Sequence, residues 1–355
     1  MKNEVGDGLS GLPGPVLITG HTGFKGVWLT LLLEKLGIPV IGLSLEPDKD
    51  SLYRRAVRLG SVPEEFVDVR DFASVKNFIS KYQPSIIIHM AAQPLVLESY
   101  KTPRETFEVN VMGTANVLSA AFLEPSVISV GIVTTDKVYQ NDDSGKAFVE
   151  TDALSGKDPY SASKTATEAV VKAWQQIAKI SGGPRVISLR SGNVIGGGDW
   201  AENRLLPDLI RAFKDKNKIE LRSPNSTRPW MHVLDPLKGY LLAIEQSVLG
   251  NEVEAFNFGP NSKSLSVARI AELSQSAWPY SVEISYPISA SSKKLESSFL
   301  SLNSTLAEQT LGWTPVWSQE QAVITTVKWW SEVFNNGASP VDVCMNDIHT
   351  LLSNR

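Results

Sequence analysis

Apolar residues gather in Val16 to Thr19, pass into a glycine-rich turn, and then recur at helical spacing from Phe24 to Leu36, which predicts strand, loop and helix. The alternation continues through Val40 to Leu43, a helix over Ala73 to Lys81, a strand over Ser85 to His89, a helix over Thr106 to Ala121 and a strand over Val127 to Val133. Short β-rich runs separated by helix-length segments predict a parallel sheet with helices on both faces. After Ser191 the pattern loosens into GGGD, SPNSTRP and repeated prolines, and seven of the nine tryptophans lie at or after Trp200. A second lobe begins there. Val233 to Gln246 reads as a long helix and Ala255 to Phe258 as a strand, so the chain is expected to return to the first lobe before finishing the second.

The predicted class is therefore α/β: a Rossmann-like, doubly wound parallel sheet with a smaller α/β C-terminal lobe. A flexible leader spans 1–14; residues 15–190 and about 232–260 form the sheet domain; residues 191–231 and 261–355 form the lobe. The late tryptophans read as packing for this lobe rather than as a stacking platform for bases.

With 42% hydrophobic and 20% charged residues among 355, the chain is neither disordered nor fibrous. A formal charge of −4 and no long Lys/Arg run argue against a nucleic-acid surface or a polybasic membrane patch. No stretch reaches the ~18 apolar residues of a membrane span, and MKNEVGDGLSGLPGP lacks the apolar core of a signal peptide. The single cysteine, Cys344, excludes an internal disulfide and a multi-thiolate metal site. None of the four histidines has metal-ligand spacing. A cytoplasmic protein is the expectation.

The turn Gly20-His21-Thr22-Gly23-Phe24-Lys25-Gly26 stands where a dinucleotide-binding turn belongs, since glycines permit the bend and let the backbone approach a pyrophosphate at a helix N-terminus. Lys25 is either a cation beside the phosphates or a solvated helix residue. The second strand ends Gly42-Leu-Ser44-Leu-Glu46 with no acid at its tip, so the turn does not decide between NAD and NADP. Asp68, in Asp68-Val69-Arg70-Asp71, reads either as an acceptor for the adenine amino group or as a helix N-cap.

Tyr160 and Lys164 lie four apart in DPYSASK, so on a helix they share a face. A phenol of pKa ~10 is a poor base at neutral pH, but a nearby ammonium and a cationic nicotinamide favour the phenolate. Tyr160 then takes the proton of a substrate hydroxyl as the carbinol hydride leaves. Arg228, in RPWMHV, suits a diphosphate because a guanidinium fork matches phosphate oxygens and keeps its charge.

Together with Thr134-Thr135-Asp136-Lys137, Ala91-Ala92-Gln93 and Asn110-Val-Met-Gly-Thr, these motifs resemble the extended short-chain dehydrogenase/reductase family over almost the whole chain after the leader. GHTGFKG, HMAAQPLV, TTDKVY, RSGNVIGGGDW, RPWMHV and NFGP are similar to one branch of it, the CDP-glucose 4,6-dehydratases. The resemblance implies NAD as cofactor and a sugar nucleotide, CDP-glucose, as substrate. It implies that Gly20, Thr22, Gly23, Phe24, Lys25, Gly26, Asp68, Val69 and Ala91 to Gln93 line the cofactor, with Asn110, Tyr160 and Lys164. Thr135 would hydrogen-bond the C4 hydroxyl, Asp136 would be the acid at C6, and Lys137 would occupy the place of a glutamate base in dTDP-glucose dehydratases. The bland reading of Asp136 and Lys137 is an ion pair at a strand end. Gln93, Asn193, Arg204 and His232 would join Arg228 around the substrate, with no metal. Helices from Thr106 and around Tyr160 would build a homodimer or homotetramer.

Three places depart from the branch: Leu97 replaces an arginine, the loop Ser144 to Glu150 replaces a Trp- and Tyr-containing stretch, and Leu302-Asn303-Ser304-Thr305 replaces Leu-Asp-x-Ser-Lys. They leave open a dehydratase or 4-epimerase of another sugar nucleotide, or a non-catalytic NAD-binding sensor. Retention of Thr135, Tyr160 and Lys164 speaks against the sensor.

Overall fold

The computed structural model describes residues 11–56, 58–221, 224–260, 262–286 and 300–354. Seven strands form one parallel sheet: β1 (Val16–Thr19), β2 (Val40–Ser44), β3 (Glu64–Phe66), β4 (Ile86–His89), β5 (Ser129–Thr135), β6 (Arg185–Ser191) and β7 (Ala255–Phe258), in the order β7-β6-β5-β4-β1-β2-β3. The chain runs outward from β1 to β3 and then restarts on the other side at β4. The carboxyl ends of β1 and β4 therefore flank a topological switch point, where open α/β sheets leave a crevice.

Alternate residues of each strand enter different cores, because successive side chains point to opposite faces. Leu17, Ile87, Val130 and Val186 join α2 (Phe72–Tyr82), α3 (Gly113–Phe122) and Val171 of α4 (Pro159–Ser181). Val16, Ile18, Ile86 and Ile88 pack with α1 (Phe24–Lys35) and α5 (Leu234–Val248) on the other face. Each such aliphatic side chain, fully buried, contributes about 1.5–3 kcal/mol.

The predicted helix from Thr106 is in fact two segments joined by a wide π-turn over Glu108–Met112, centred on Asn110. The chain returns to the sheet as expected, with β7 pairing β6 in parallel from Ala255↔Ser188 to Phe258↔Ser191. Residues 1–10 of the expected leader lie outside the described residues. Its last residues pack against the sheet, with Leu12 buried and Ser85 donating to the Pro13 carbonyl.

The loop Gly196-Gly197-Gly198 joins the lobes by close approach. A Cβ on Gly197 would stand 1.8 Å from the Trp329 ring, and one on Gly198 2.6 Å from Leu52. The indole of Trp28, on α1, donates to the Gly197 carbonyl at 2.9 Å. Of the later tryptophans, all but Trp200 are buried, so they serve the core of this lobe. Cys344 is buried and unpaired. Among the described residues no helix is long and apolar enough to cross a membrane, and no group of His, Cys, Asp or Glu is placed to hold a metal.

Candidate active site

At the switch point, Gly20 takes φ +76°, and a Cβ there would stand 2.9 Å from the Ala91 amide. A Cβ on Gly26 would fall 2.2 Å from the Gly20 carbonyl, so both positions require glycine for the turn to close. Gly23 caps α1 with no side-chain hydrogen bond, and the first turn of α1 carries no acid. Its leading amides are therefore free of side-chain caps and the helix dipole is unopposed, which fits a pyrophosphate. Beside the turn, Thr22 bonds Ser44 at 2.9 Å. Thr19 bonds His89 and receives the amides of Met90 and Ala91. Phe24 lies half-buried next to Gly196.

Asp68 is gripped by its neighbour Arg70 through the guanidinium and the backbone amide, while Val69 packs beneath Gly113. The N-cap of α2 is Asp71, three residues later. The Gln93 side chain folds back onto Leu95 and Thr106. The π-turn presents Asn110 at the crossing of three segments: its amide bonds Gln93 N and O and donates to Ser163, while its carbonyl accepts from Thr114 and Thr167. Single π-turns inside helices are frequent at functional sites.

Asp158 starts α4 with a reciprocal capping box to Ser161, and Pro159 occupies the first turn without loss of a needed donor. This start fixes Tyr160 and, one turn on, Lys164 against the end of β5. Lys164 Nζ donates to the Val133 carbonyl at 3.1 Å. Burial pushes its ammonium down to about 8, Lys25 adds to the drop, and Glu168 opposes it. Burial raises the Tyr160 phenol, whereas Lys137 and a hydrogen bond with Thr135 pull it back.

The Thr135 hydroxyl donates to Asp136 Oδ1 at 3.0 Å, and Lys137 Nζ reaches the same oxygen at 3.3 Å and Asn193 Oδ1 at 3.2 Å. Asp136 Oδ2 is buried with no partner. Arg204 is held by Asp199 at 2.8 Å, and its charge is felt by both Tyr160 and Lys25. The structure thus brings together Thr135, Asp136, Lys137, Tyr160, Lys164, Asn193 and Arg204.

The NAD dependent epimerase/dehydratase family matches residues 16–259. The chain belongs to that family. It is 37% identical over 324 residues to a CDP-glucose 4,6-dehydratase of Salmonella typhimurium, covering 88% of this chain and 89% of the relative. It is 27% identical to a dTDP-glucose 4,6-dehydratase of Haemophilus influenzae, covering 91% and 99%. The fold superposes on a dTDP-glucose 4,6-dehydratase of Streptomyces venezuelae solved with NAD and TYD bound, at TM-score 0.77 and 23% identity, covering 92% and 99%.

Within this epimerase/dehydratase frame, one named residue sits elsewhere. His232 is wholly buried between the rings of Trp28 and Trp317, 3.6 Å from Asp347, and the structure does not bring it to the cluster. Arg228 lies on a two-residue strand, Thr227–Arg228, paired with Leu265–Ser266, and donates to the Thr227 carbonyl.

Lys25 is engaged within the protein rather than solvated. Its Nζ bonds Ser191 at 3.1 Å and Tyr240 at 3.0 Å, and burial, with Arg204, lowers its ammonium to about 7. Ser191, Tyr240, Asp199 and His89 escaped the sequence reading. Asp199 alone had a signal, as the single acid of GGGDW. His89, held down to about 3 by burial and by Lys164, stays neutral between Thr19 and Thr114.

The loop Ser144 to Glu150 is anchored at its far end. Ala147–Phe148 pairs with Ser301–Leu302, Phe148 stacks on Tyr139, and the Asn257 amide donates to Glu150. Asn257, in NFGP, also bonds Tyr139 and the Phe148 carbonyl, which places two of the three departures from the branch in one small cluster.

Proposed function

We propose that this chain is an NAD-dependent CDP-glucose 4,6-dehydratase, forming CDP-4-keto-6-deoxyglucose with loss of water. The observation that carries the reading is the placement of Asp136, with one buried oxygen unpartnered, against the Thr135 hydroxyl and close enough for its charge to act on Tyr160. A simple 4-epimerase has no use for an acid there. Residues 15–190 and 232–260 hold NAD, and residues 191–231 and 261–355 hold the sugar nucleotide.

Gly20, Gly23 and Gly26 would cradle NAD, which would supply a hydride acceptor for oxidation at C4 and the same hydride for reduction at C6. Thr135 orients the C4 hydroxyl, and Tyr160 takes its proton, the Lys164 ammonium stabilising the phenolate. The new C4 ketone acidifies C5–H. Lys137 and Asp136 stand 3.3 Å apart, so transfer of one proton from the ammonium to the carboxylate leaves a neutral amine to take the C5 proton and an acid to protonate the departing C6 hydroxyl. Water leaves as the C5–C6 double bond forms. Hydride at C6 and a proton at C5 then complete the product. Arg204, fixed by Asp199, and Arg228 neutralise the diphosphate, and Asn193 orients Lys137.

Leu97, Tyr100, Phe107, Met112, Ile177 and Ile180 are large apolar side chains exposed on helices 96–112 and on α4. They support a homodimer, the pairing that covers them, or a homotetramer built from it.

The test is incubation with CDP-glucose in deuterated water. The expected product is lighter by one water, carries deuterium at C5, and appears with no net accumulation of reduced cofactor. Turnover of another nucleotide sugar but not of CDP-glucose would displace the nucleotide assignment and keep the chemistry.

A further inference from the structure

Tyr160 and Lys164 are followed one turn later on the same face by Glu168, buried under the sheet. Its carboxylate accepts four hydrogen bonds: Thr134 Oγ1 at 2.5 Å, Ser188 Oγ at 2.6 Å, Arg190 Nε at 2.9 Å and Arg190 Nη2 at 2.7 Å. Thr134 lies on β5, between the two residues that meet Lys164 and Tyr160, namely Val133 and Thr135. Three consecutive residues of β5 thus engage three successive turns of α4. Arg190 ties the far side, donating to Tyr139 and to the Glu150 carbonyl.

A buried pair of this kind is weak evidence for stability, because desolvation offsets much of the attraction. Hydrophobic residues of similar volume would hold a helix on a sheet as well. What they would not do is fix register by four directional bonds and place a negative charge one turn behind Lys164.

We propose that Glu168, paired with Arg190, is a positioning residue of the reaction: it acts through Lys164, holding the Tyr160–Lys164 face in register with Val133–Thr135 and helping the ammonium keep its proton. This rests on the dehydratase reading. The groups facing Lys164 are Lys25 in the first turn of α1, His89 of β4, the Val133 carbonyl of β5, and Tyr160 and Glu168 of its own helix. Lys25 favours loss of the proton and His89 is neutral, so Glu168 is the anion that opposes the loss. Glu168 itself faces Arg190 and Ser188 of β6 and Thr134 of β5; Glu150 lies behind Arg190.

The test compares pH–rate profiles of wild type, Glu168→Gln, Glu168→Asp and the double variant Glu168→Gln with Arg190→Gln, with rates normalised to folded, NAD-binding protein. Dehydration by wild type is the precondition, and its absence would count against the dehydratase reading alone. In Glu168→Gln the alkaline limb is expected to move to lower pH by about half a unit or more, with kcat down about tenfold and KM near wild type. Glu168→Asp keeps the charge and is expected to hold the limb in place while lowering kcat. The double variant leaves no unpaired buried charge, so it remains usable where Glu168→Gln does not fold, and it is expected to show the same direction of shift. Wild-type kcat and an unmoved limb in the folded variants would overturn the proposal and leave the pair a purely structural one.

Discussion

Lys164 Nζ and the Val133 carbonyl are 3.1 Å apart, which fastens the ammonium to the strand that ends in Thr135. Because Thr135 also meets Tyr160, the phenol and the ammonium are referenced to one rigid element. Tyr160→Phe is expected to lower dehydration by roughly 10³-fold, the usual weight of a general base. Single-turnover oxidation at C4 should disappear with it. Wild-type turnover by the variant would remove Tyr160 from the mechanism.

Asp136 acts later in the proposed sequence. Asp136→Asn keeps a hydrogen-bond acceptor for Thr135 but carries no transferable acid proton. C4 oxidation, followed as reduced cofactor on the enzyme, should persist while water loss drops by about 10²-fold or more. Equal losses in both half-reactions would contradict the division of roles.

The Lys164 ammonium, lowered to about 8 chiefly by burial, is charged below that pH and neutral above it. Stabilisation of the Tyr160 phenolate should therefore fade as pH rises through about 8, giving an alkaline limb in kcat. Lys164→Arg, whose charge persists, should lack that limb at a reduced rate. A profile measured from pH 6 to 10 decides it.

Gly26→Ala places a Cβ 2.2 Å from the Gly20 carbonyl, a backbone atom that cannot move without opening the turn. NAD affinity measured by calorimetry should fall by about tenfold or more, since the amides lose their aim. Unchanged affinity would mean that the turn is not the cradle.

Burial lifts the Asp235 carboxyl from 3.8 to about 6, with one oxygen unpartnered. A group whose folded pKa is raised adds stability below its unfolded value and loses it as pH rises through the folded one. Wild type should therefore lose stability between about pH 4 and pH 6, whereas Asp235→Asn should not. By linkage the variant is expected to be favoured by up to ~3 kcal/mol at pH 7, and urea unfolding at pH 4 and pH 7 measures the difference.

Much of this protein was legible in one dimension because the relevant physics is local. Short apolar runs marked the strands and helical spacing the helices, and the glycine turn was visible as a turn, with Gly20 and Gly26 proving to tolerate no Cβ. Spacing by four placed Tyr160 and Lys164 on one face. Residues whose role depends on where a side chain ends were not legible. Lys25, read as a phosphate cation or a solvated residue, crosses to Ser191 and Tyr240, some 166 and 215 positions away. His232, read either as a substrate contact or as a structural histidine, is the latter, sealed between Trp28 and Trp317. Gln93 spends its side-chain amide on Leu95 and Thr106.

The sequence by itself determined the alternating α/β pattern, the glycine turn and the chemistry available at the ends of β5 and α4, since each depends on residues within one or two turns of one another. Only the tertiary structure decided that Asp136 keeps an unpartnered oxygen, that Arg204 comes near Tyr160 and Lys25, and that Glu168, behind Lys164, pairs with Arg190. Those outcomes follow from burial and from partners on distant strands, and both arise only once the sheet has brought them within hydrogen-bonding distance.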